Sequence, residues 1–450
     1  MKTILECIIV VGLLLAVFAP ESYAQSESSK GKVVNDQQRE EEFMDWGLGM
    51  FVHWSLDSQL GSVISHSMVG ANERYLDRYI NELPQTFNPK KYDPDEWMAI
   101  AKLAGAKYMV LTTKHHSGFC LWDTKTTDFG IMSTPYKKDI VREYVDACRK
   151  TGLKVGFYFS PEDFYFLRQQ GHVIRRTGEA TRISENQELL EYDKRQIKEL
   201  LTDYGPIDVV FLDAFDSAQI RDYVHDLQPK CLVTRGEMAT PEQKIPDAPI
   251  PGPWESCFTL GTQWQFKPTN EDYKNGGKLI DMLIETRAKG GNLLINIGPE
   301  PSGIIPPEQE RIFRELGLWM FINDEAIHDV RPSKVIRENK IWYTQSKDGK
   351  TVYVFLTEFT GKNRWNYGER KEIVLKSWKA TEQTRVSVLG QNDKVLEYKP
   401  DADPTSRFKQ TEAGLELSVM RAQRIYNDKT WPNTVVLKLE NVEFVENRRQ

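Results

Sequence analysis

Asp213 and Glu255 are the two residues whose setting most suits bond-breaking chemistry. Asp213 ends the apolar run Val209-Val210-Phe211-Leu212, so it reads as a carboxylate offered at the tip of a buried strand. Glu255 lies beside Trp254 in the segment Pro251-Gly252-Pro253-Trp254-Glu255-Ser256-Cys257, which reads as a loop. A pair of acids of this kind suits sugar chemistry, in which one attacks or stabilises the anomeric carbon and the other shuttles a proton. A strand-end Asp also suits a helix cap or a turn, the commoner role for a lone aspartate. Asp216 and Glu237 are neighbouring acids that compete for the same roles, and Asp216, past the strand end, suits the cap of the next helix.

A second group of polar residues falls at the ends of apolar runs: His53, His115, Tyr158 and Arg235, with His116 adjacent to His115. Neighbouring side chains on a strand face opposite ways, so His115 and His116 share a pocket only where the strand gives way to a loop. Barrel hydrolases that use metals carry His-x-His on one strand, a pattern this chain lacks. Neutral imidazoles that hydrogen-bond sugar hydroxyls fit better.

The elements that must position these residues alternate. Strand-like runs at 48–53, 106–112, 153–160, 207–213, 231–235 and 292–297 are separated by helical patterns at 140–150, 189–204, 218–227, 278–289 and 309–321. Repeated strand–helix units point to parallel strands, and no Gly-rich dinucleotide or phosphate loop follows any of them. Functional groups gathered at the C-terminal ends of several strands are the pattern of a (β/α) barrel, assigned here to residues 43–330. Beyond residue 331 the texture changes to short β-rich runs separated by Asp, Gly, Asn and Lys, predicting a C-terminal β-sandwich over 331–450.

Composition narrows the function. Acidic residues number 65 and basic residues 59, with no basic tract, which argues against a nucleic-acid surface. Eleven Trp, 18 Tyr and 20 Phe suit both a large core and a sugar cleft lined with aromatic faces. Lys2, the short apolar run at 8–18 and Ala24 resemble a secretory signal removed after residue 24. The run is too short for a stable membrane span. Residues 25–42 are polar and read as a tether, which places the mature chain in a periplasm or outside the cell. The remaining cysteines, Cys120, Cys148, Cys231 and Cys257, contain no CxxC pair and are expected as buried thiols.

Several longer motifs occur in order: Gly49-Met50-Phe51-Val52-His53-Trp54, Leu111 to Phe119, Val155 to Ser160, Trp254-Glu255-Ser256-Cys257, Gly290 to Pro299 and Gly317 to Ile327. Together they resemble the α-L-fucosidases of glycoside hydrolase family 29. The resemblance implies an exported, retaining exo-glycosidase that removes terminal α-L-fucose from an oligosaccharide or glycoconjugate. It implies Asp213 as nucleophile and Glu255 as acid/base, with no metal and no organic cofactor. It also implies a fucose subsite lined by His53, His115, His116, Tyr158 and Arg235, with Glu73 as a further acid and with Trp264 and Phe211 against the C5 methyl. The chain departs from the family at Leu212-Asp213-Ala214, usually Phe-Asp-Gly, and at Arg74, where Trp often follows the Glu. These departures keep open a related glycosidase such as an α-L-galactosidase, and a non-catalytic fucose-binding protein that kept the pocket is a second alternative. The resemblance does not extend to oligomeric state.

Overall fold

The computed structural model describes residues 34–425 and 430–446. The expected signal, residues 1–24, lies outside the described residues, as does the tract 25–33.

Seven parallel strands form one sheet: β1 (Leu48–Val52), β2 (Tyr108–Lys114), β3 (Lys154–Phe159), β4 (Val209–Leu212), β5 (Leu232–Val233), β6 (Glu255–Thr259) and β7 (Asn292–Ile297). Their order is β5-β4-β3-β2-β1-β7-β6. The irregular stretch 239–243 lies along the free edge of β6, through the parallel bridges Ala239↔Trp254 and Glu242↔Cys257. With the helices between strands, this is the expected (β/α) barrel. The strand at β6 was not expected. Its Glu255, Cys257 and Thr259 alternate with Ser256 and Phe258, so it shows no apolar run, and Glu255 opens a strand instead of lying in a loop.

Side chains two apart along each strand fill the barrel. Phe51, Tyr108, Val110, Tyr158, Val209, Phe211, Leu232, Cys257 and Leu294 form one buried interior cluster. Gly49 is required by this packing, because a Cβ there would stand 2.4 Å from the Tyr108 ring. The second face of the sheet packs on the helices to make the larger core.

The polar tract is shorter than expected. Residues Gln37–Trp46 form a helix capped by the Asp36 side chain on the Arg39 N–H. Its Phe43 and Trp46 are buried, with ring centroids 5.7 and 5.4 Å from Tyr108. They close the N-terminal end of the barrel. Two aromatic residues among polar neighbours do not register as a helix by composition, but they carry its burial.

After the helix Pro307–Asn323, antiparallel strands make the expected C-terminal sandwich. A five-stranded sheet runs Trp378–Val388, Val435–Phe444, Thr351–Leu356, Ile341–Ser346, Val330–Glu338, and a three-stranded sheet contains Arg370–Leu375, Gly414–Met420 and Arg407–Thr411. The sandwich joins the barrel through the Trp319 indole N–H, which donates to the Thr434 carbonyl at 2.8 Å. Arg331 of the sandwich also pairs with Asp45 of the N-terminal helix at 2.7 Å. The four cysteines are buried free thiols. Among the described residues, no helix is long and apolar enough to cross a membrane.

Candidate active site

Asp213 directly follows β4, and its backbone N–H continues the ladder to the Phe159 carbonyl at 3.1 Å. Its carboxylate is held from two sides. The Tyr158 hydroxyl donates to Oδ2 at 2.6 Å and Arg235 Nη1 donates to Oδ1 at 2.8 Å. His116 Nε2 stands 3.6 Å from Oδ2. Burial works to raise the Asp213 carboxyl. The Arg235 guanidinium, the first of the opposing groups, and the Tyr158 hydroxyl outweigh it and hold the group well below the usual carboxylate range. A charged, oriented carboxylate results, as a nucleophile requires.

The histidines gather on the same rim. His53 follows β1, bonds Asn296 of β7 through Nδ1 at 2.6 Å and stacks on Trp264 with centroids 4.8 Å apart. His115 stacks on Tyr158 at 4.9 Å, and His116 reaches the Ser160 hydroxyl at 2.6 Å. Both enter the site because β2 ends at Lys114 and the chain turns there. Lys114 is itself fully buried between Asp163 at 3.1 Å and Asp193 at 2.9 Å, which anchors this turn. Burial lowers all three imidazoles, His53 to about 4 and His116 to about 3, so they are neutral at pH 7. Phe211 lies beneath this group, stacked on Tyr158 at 5.6 Å and with the Arg235 guanidinium 4.9 Å above its ring.

Two acids expected in the site have settings that differ from the expectation. Glu255 is wholly enclosed in the barrel, where the Tyr108 hydroxyl donates to Oε2 at 2.7 Å. Burial raises its carboxyl, against the Tyr108 hydrogen bond. Glu73 begins the helix Glu73–Asn81, where Asn72 caps the Tyr75 N–H. Its side chain is 80% exposed and pairs with Arg168 at 2.8 Å. An acid in the first helical turn is favoured there by the helix dipole, so Glu73 faces solvent rather than the pocket.

Three further charged residues line the site without having been expected. Arg235 Nη2 donates to Glu242 Oε2 at 2.7 Å, so one guanidinium bridges Asp213 and Glu242. The Glu242 side chain is 38% exposed, at the rim. Its segment Thr240-Pro241-Glu242-Gln243-Lys244 carries no periodicity and no apolar run, and only the shared arginine signals it. Beside His116, Arg176 Nε donates to Glu162 Oε2 at 2.9 Å, and Glu162 lies 3.9 Å from His116 Nδ1. Burial pushes the Glu162 carboxyl up to about 7, although Arg176 pulls it down. Asp216 accepts the Ser184 N–H at 2.8 Å and Glu237 bonds His225 at 2.8 Å, so each is engaged outside this constellation.

His115, His116 and Asp213 offer donor atoms within 4.8 Å of one another. A cation there would compete with Arg235, already 2.8 Å from Asp213, and His115 Nδ1 is occupied by the His116 N–H at 2.9 Å. The donor set suits hydroxyl recognition better than metal coordination.

A carboxylate neutralised by an arginine, beside neutral imidazoles at the C-terminal rim of a barrel, is an arrangement for glycoside cleavage. A model of the family described as Alpha-L-fucosidase matches residues 15–325, more than half of the chain. The chain belongs to the alpha-L-fucosidase family. It is thus a glycoside hydrolase acting on a fucosylated glycan. The plasma alpha-L-fucosidase of Rattus norvegicus is 28% identical over 355 residues, 68% of this chain and 75% of that protein. The alpha-L-fucosidase of Dictyostelium discoideum is 26% identical over 322 residues, 64% of this chain and 68% of that protein. Among solved structures, alpha-L-fucosidase isoenzyme 1 from Paenibacillus thiaminolyticus superposes with a TM-score of 0.71 at 27% identity. That match covers 91% of this chain and 99% of the other.

Proposed function

We propose that the protein is an exported, retaining exo-α-L-fucosidase. Asp213 attacks the anomeric carbon, and Glu242 protonates the leaving oxygen and then activates water. The observation that carries this reading is the Arg235 bridge, with Asp213 on Nη1 at 2.8 Å and Glu242 on Nη2 at 2.7 Å. Two carboxylates one guanidinium apart suit the roughly 5–5.5 Å spacing of a double displacement better than the roughly 6.5–9.5 Å that an inverting water needs.

Glu255, implied as acid/base by its Trp-Glu-x-Cys motif, is assigned instead to the barrel interior as the partner of Tyr108. Glu255 is enclosed and engaged by the Tyr108 hydroxyl, whereas Glu242 is open to solvent at the rim on the arginine that also holds Asp213. His53, His115, His116 and Arg235 bind the glycone, and Trp264, stacked on His53, packs against its apolar face. Export is supported by the leader-like residues 1–24 and by a relative named as a plasma enzyme.

The departure at Leu212-Asp213-Ala214 and the turning away of Glu73 touch sugar choice. Turnover of paired aryl α-L-fucoside and α-L-galactoside substrates tests it. The fucoside is expected to have the higher kcat/KM. Faster turnover of the galactoside overturns the assignment, and binding of L-fucose without turnover of either substrate favours a glycan-binding protein.

A further inference from the structure

Each pocket histidine commits one ring nitrogen to a partner whose polarity is known, and this determines what the other nitrogen offers. The Asn296 amide N–H donates to the Trp264 carbonyl, which turns Oδ1 toward His53 Nδ1 at 2.6 Å. An amide oxygen only accepts, so His53 carries its proton on Nδ1 and Nε2 keeps a lone pair. The Ser160 hydroxyl gives its single proton to the Glu162 carbonyl at 2.8 Å. Its oxygen therefore accepts from His116 Nδ1 at 2.6 Å, and His116 Nε2 also keeps a lone pair. His115 is reversed. Its Nδ1 accepts the His116 backbone N–H at 2.9 Å, so its proton sits on Nε2.

We propose that Asn296 and Ser160 are positioning residues that lock His53 and His116 as acceptors on either side of the donor His115, and that this pattern selects which sugar hydroxyls are read as donors and which as acceptors. The proposal rests on the fucosidase reading only for the identity of the sugar. His116 is the sharpest case. Its Nε2 is buried, has no hydrogen-bond partner in the protein and stands 3.6 Å from Asp213 Oδ2. A lone pair facing a carboxylate is favourable only when a donor enters between them, and the hydroxyl nearest the anomeric carbon is placed to do so. Burial, which lowers both the His53 and the His116 ring, keeps the pattern unchanged across neutral pH.

The test uses the full chain in two arms. In the first, histidine labelled with nitrogen-15 is read by long-range proton–nitrogen NMR, which distinguishes the two neutral tautomers directly. His53 and His116 are expected as Nδ1–H and His115 as Nε2–H. Ser160→Ala is expected to move His116 to Nε2–H, and Ser160→Thr, which keeps the hydroxyl, to leave it in place.

In the second arm, L-fucose and its deoxy and deoxyfluoro analogues compete with an aryl fucoside. Fluorine accepts a hydrogen bond but cannot donate one. At the hydroxyl read by His116, fluorine is expected to weaken binding as much as deoxygenation does, by about fivefold or more, because it leaves a buried acceptor unpaired. In Ser160→Ala the fluoro penalty is expected to fall below the deoxy penalty. Unchanged tautomers, or fluoro-to-deoxy ratios that Ser160→Ala does not alter, overturn the proposal. Failure of L-fucose to bind at all overturns the fucosidase reading instead, and the NMR arm then decides the tautomers alone.

Discussion

Asp213 and Glu242 are held on the two arms of one guanidinium, with Arg235 Nη1 2.8 Å from Asp213 Oδ1 and Nη2 2.7 Å from Glu242 Oε2. The same cation therefore keeps Asp213 ionised and holds Glu242 on its other arm. A lysine cannot do both, because its ammonium is a point charge without the planar fork.

Removing this cation has a directional consequence for pH. Burial opposes ionisation of Asp213, and Arg235 is the first of the groups that overcome it. In Arg235→Met the Asp213 pKa is expected to rise, so the acid limb of kcat/KM moves to higher pH, with a loss of about 100-fold or more at neutral pH. A pH–rate profile checks this. A loss of rate with an unmoved acid limb contradicts the assigned electrostatic role.

Glu242 and Glu255 are separated by leaving-group dependence. Glu242→Gln is expected to lower kcat/KM by about 10²–10⁴-fold on glycans, whose leaving oxygen needs a proton. The loss should be far smaller on aryl fucosides with acidic phenols. Glu255→Gln keeps a hydrogen-bond acceptor for Tyr108 and is expected to show no such dependence, its main effect being a lowered Tm. Leaving-group dependence in Glu255→Gln and not in Glu242→Gln reverses the two roles.

Asp213→Gly removes the proposed nucleophile and opens space beside Arg235. Turnover is expected to fall by about 10³-fold or more. Azide is expected to restore part of it by direct displacement, giving a β-L-fucosyl azide. Glu242→Ala with azide should instead give the α-L-fucosyl azide, because azide then meets the covalent intermediate. Chromatography and NMR of the two azides read the outcome, and the opposite pairing of anomers and variants contradicts the scheme.

Glu162 supplies a stability signature. Its folded pKa is raised to about 7 from an ordinary 4.5, so between these values the folded chain binds the proton more strongly than the unfolded chain. Its contribution is full below about pH 4.5 and is lost as pH rises through 7, a difference of about 3 kcal/mol. Glu162→Gln cannot titrate. Relative to the parent protein, its Tm is expected to rise by a few degrees across this window, and parallel Tm profiles contradict the assignment.

Much of the barrel was legible because β2, β3, β4 and β7 are apolar runs separated by amphipathic helices, the clearest signal a sequence carries. Asp213, His53, His115, His116, Tyr158 and Arg235 were legible as polar residues at the ends of such runs. β6 was not, because its inward residues are Glu255, Cys257 and Thr259 and the Pro-Gly-Pro before it mimics a loop. Glu242 was hidden for a different reason. Its only distinguishing feature is the arginine it shares with Asp213, a long-range contact without a local pattern. Glu73 illustrates the converse: its motif pointed to the pocket, while Asn72 before it already marked a helix start, where an acid is at home in solvent.

The central claim is that this site cleaves α-L-fucosides with retention, through a covalent intermediate on Asp213. Proton NMR of the first sugar formed, recorded before mutarotation, reads both its identity and its anomer. The expected result is α-L-fucose appearing first, with the β anomer following only as mutarotation proceeds. β-L-fucose as the first product, or L-galactose released in preference from paired substrates, would contradict it.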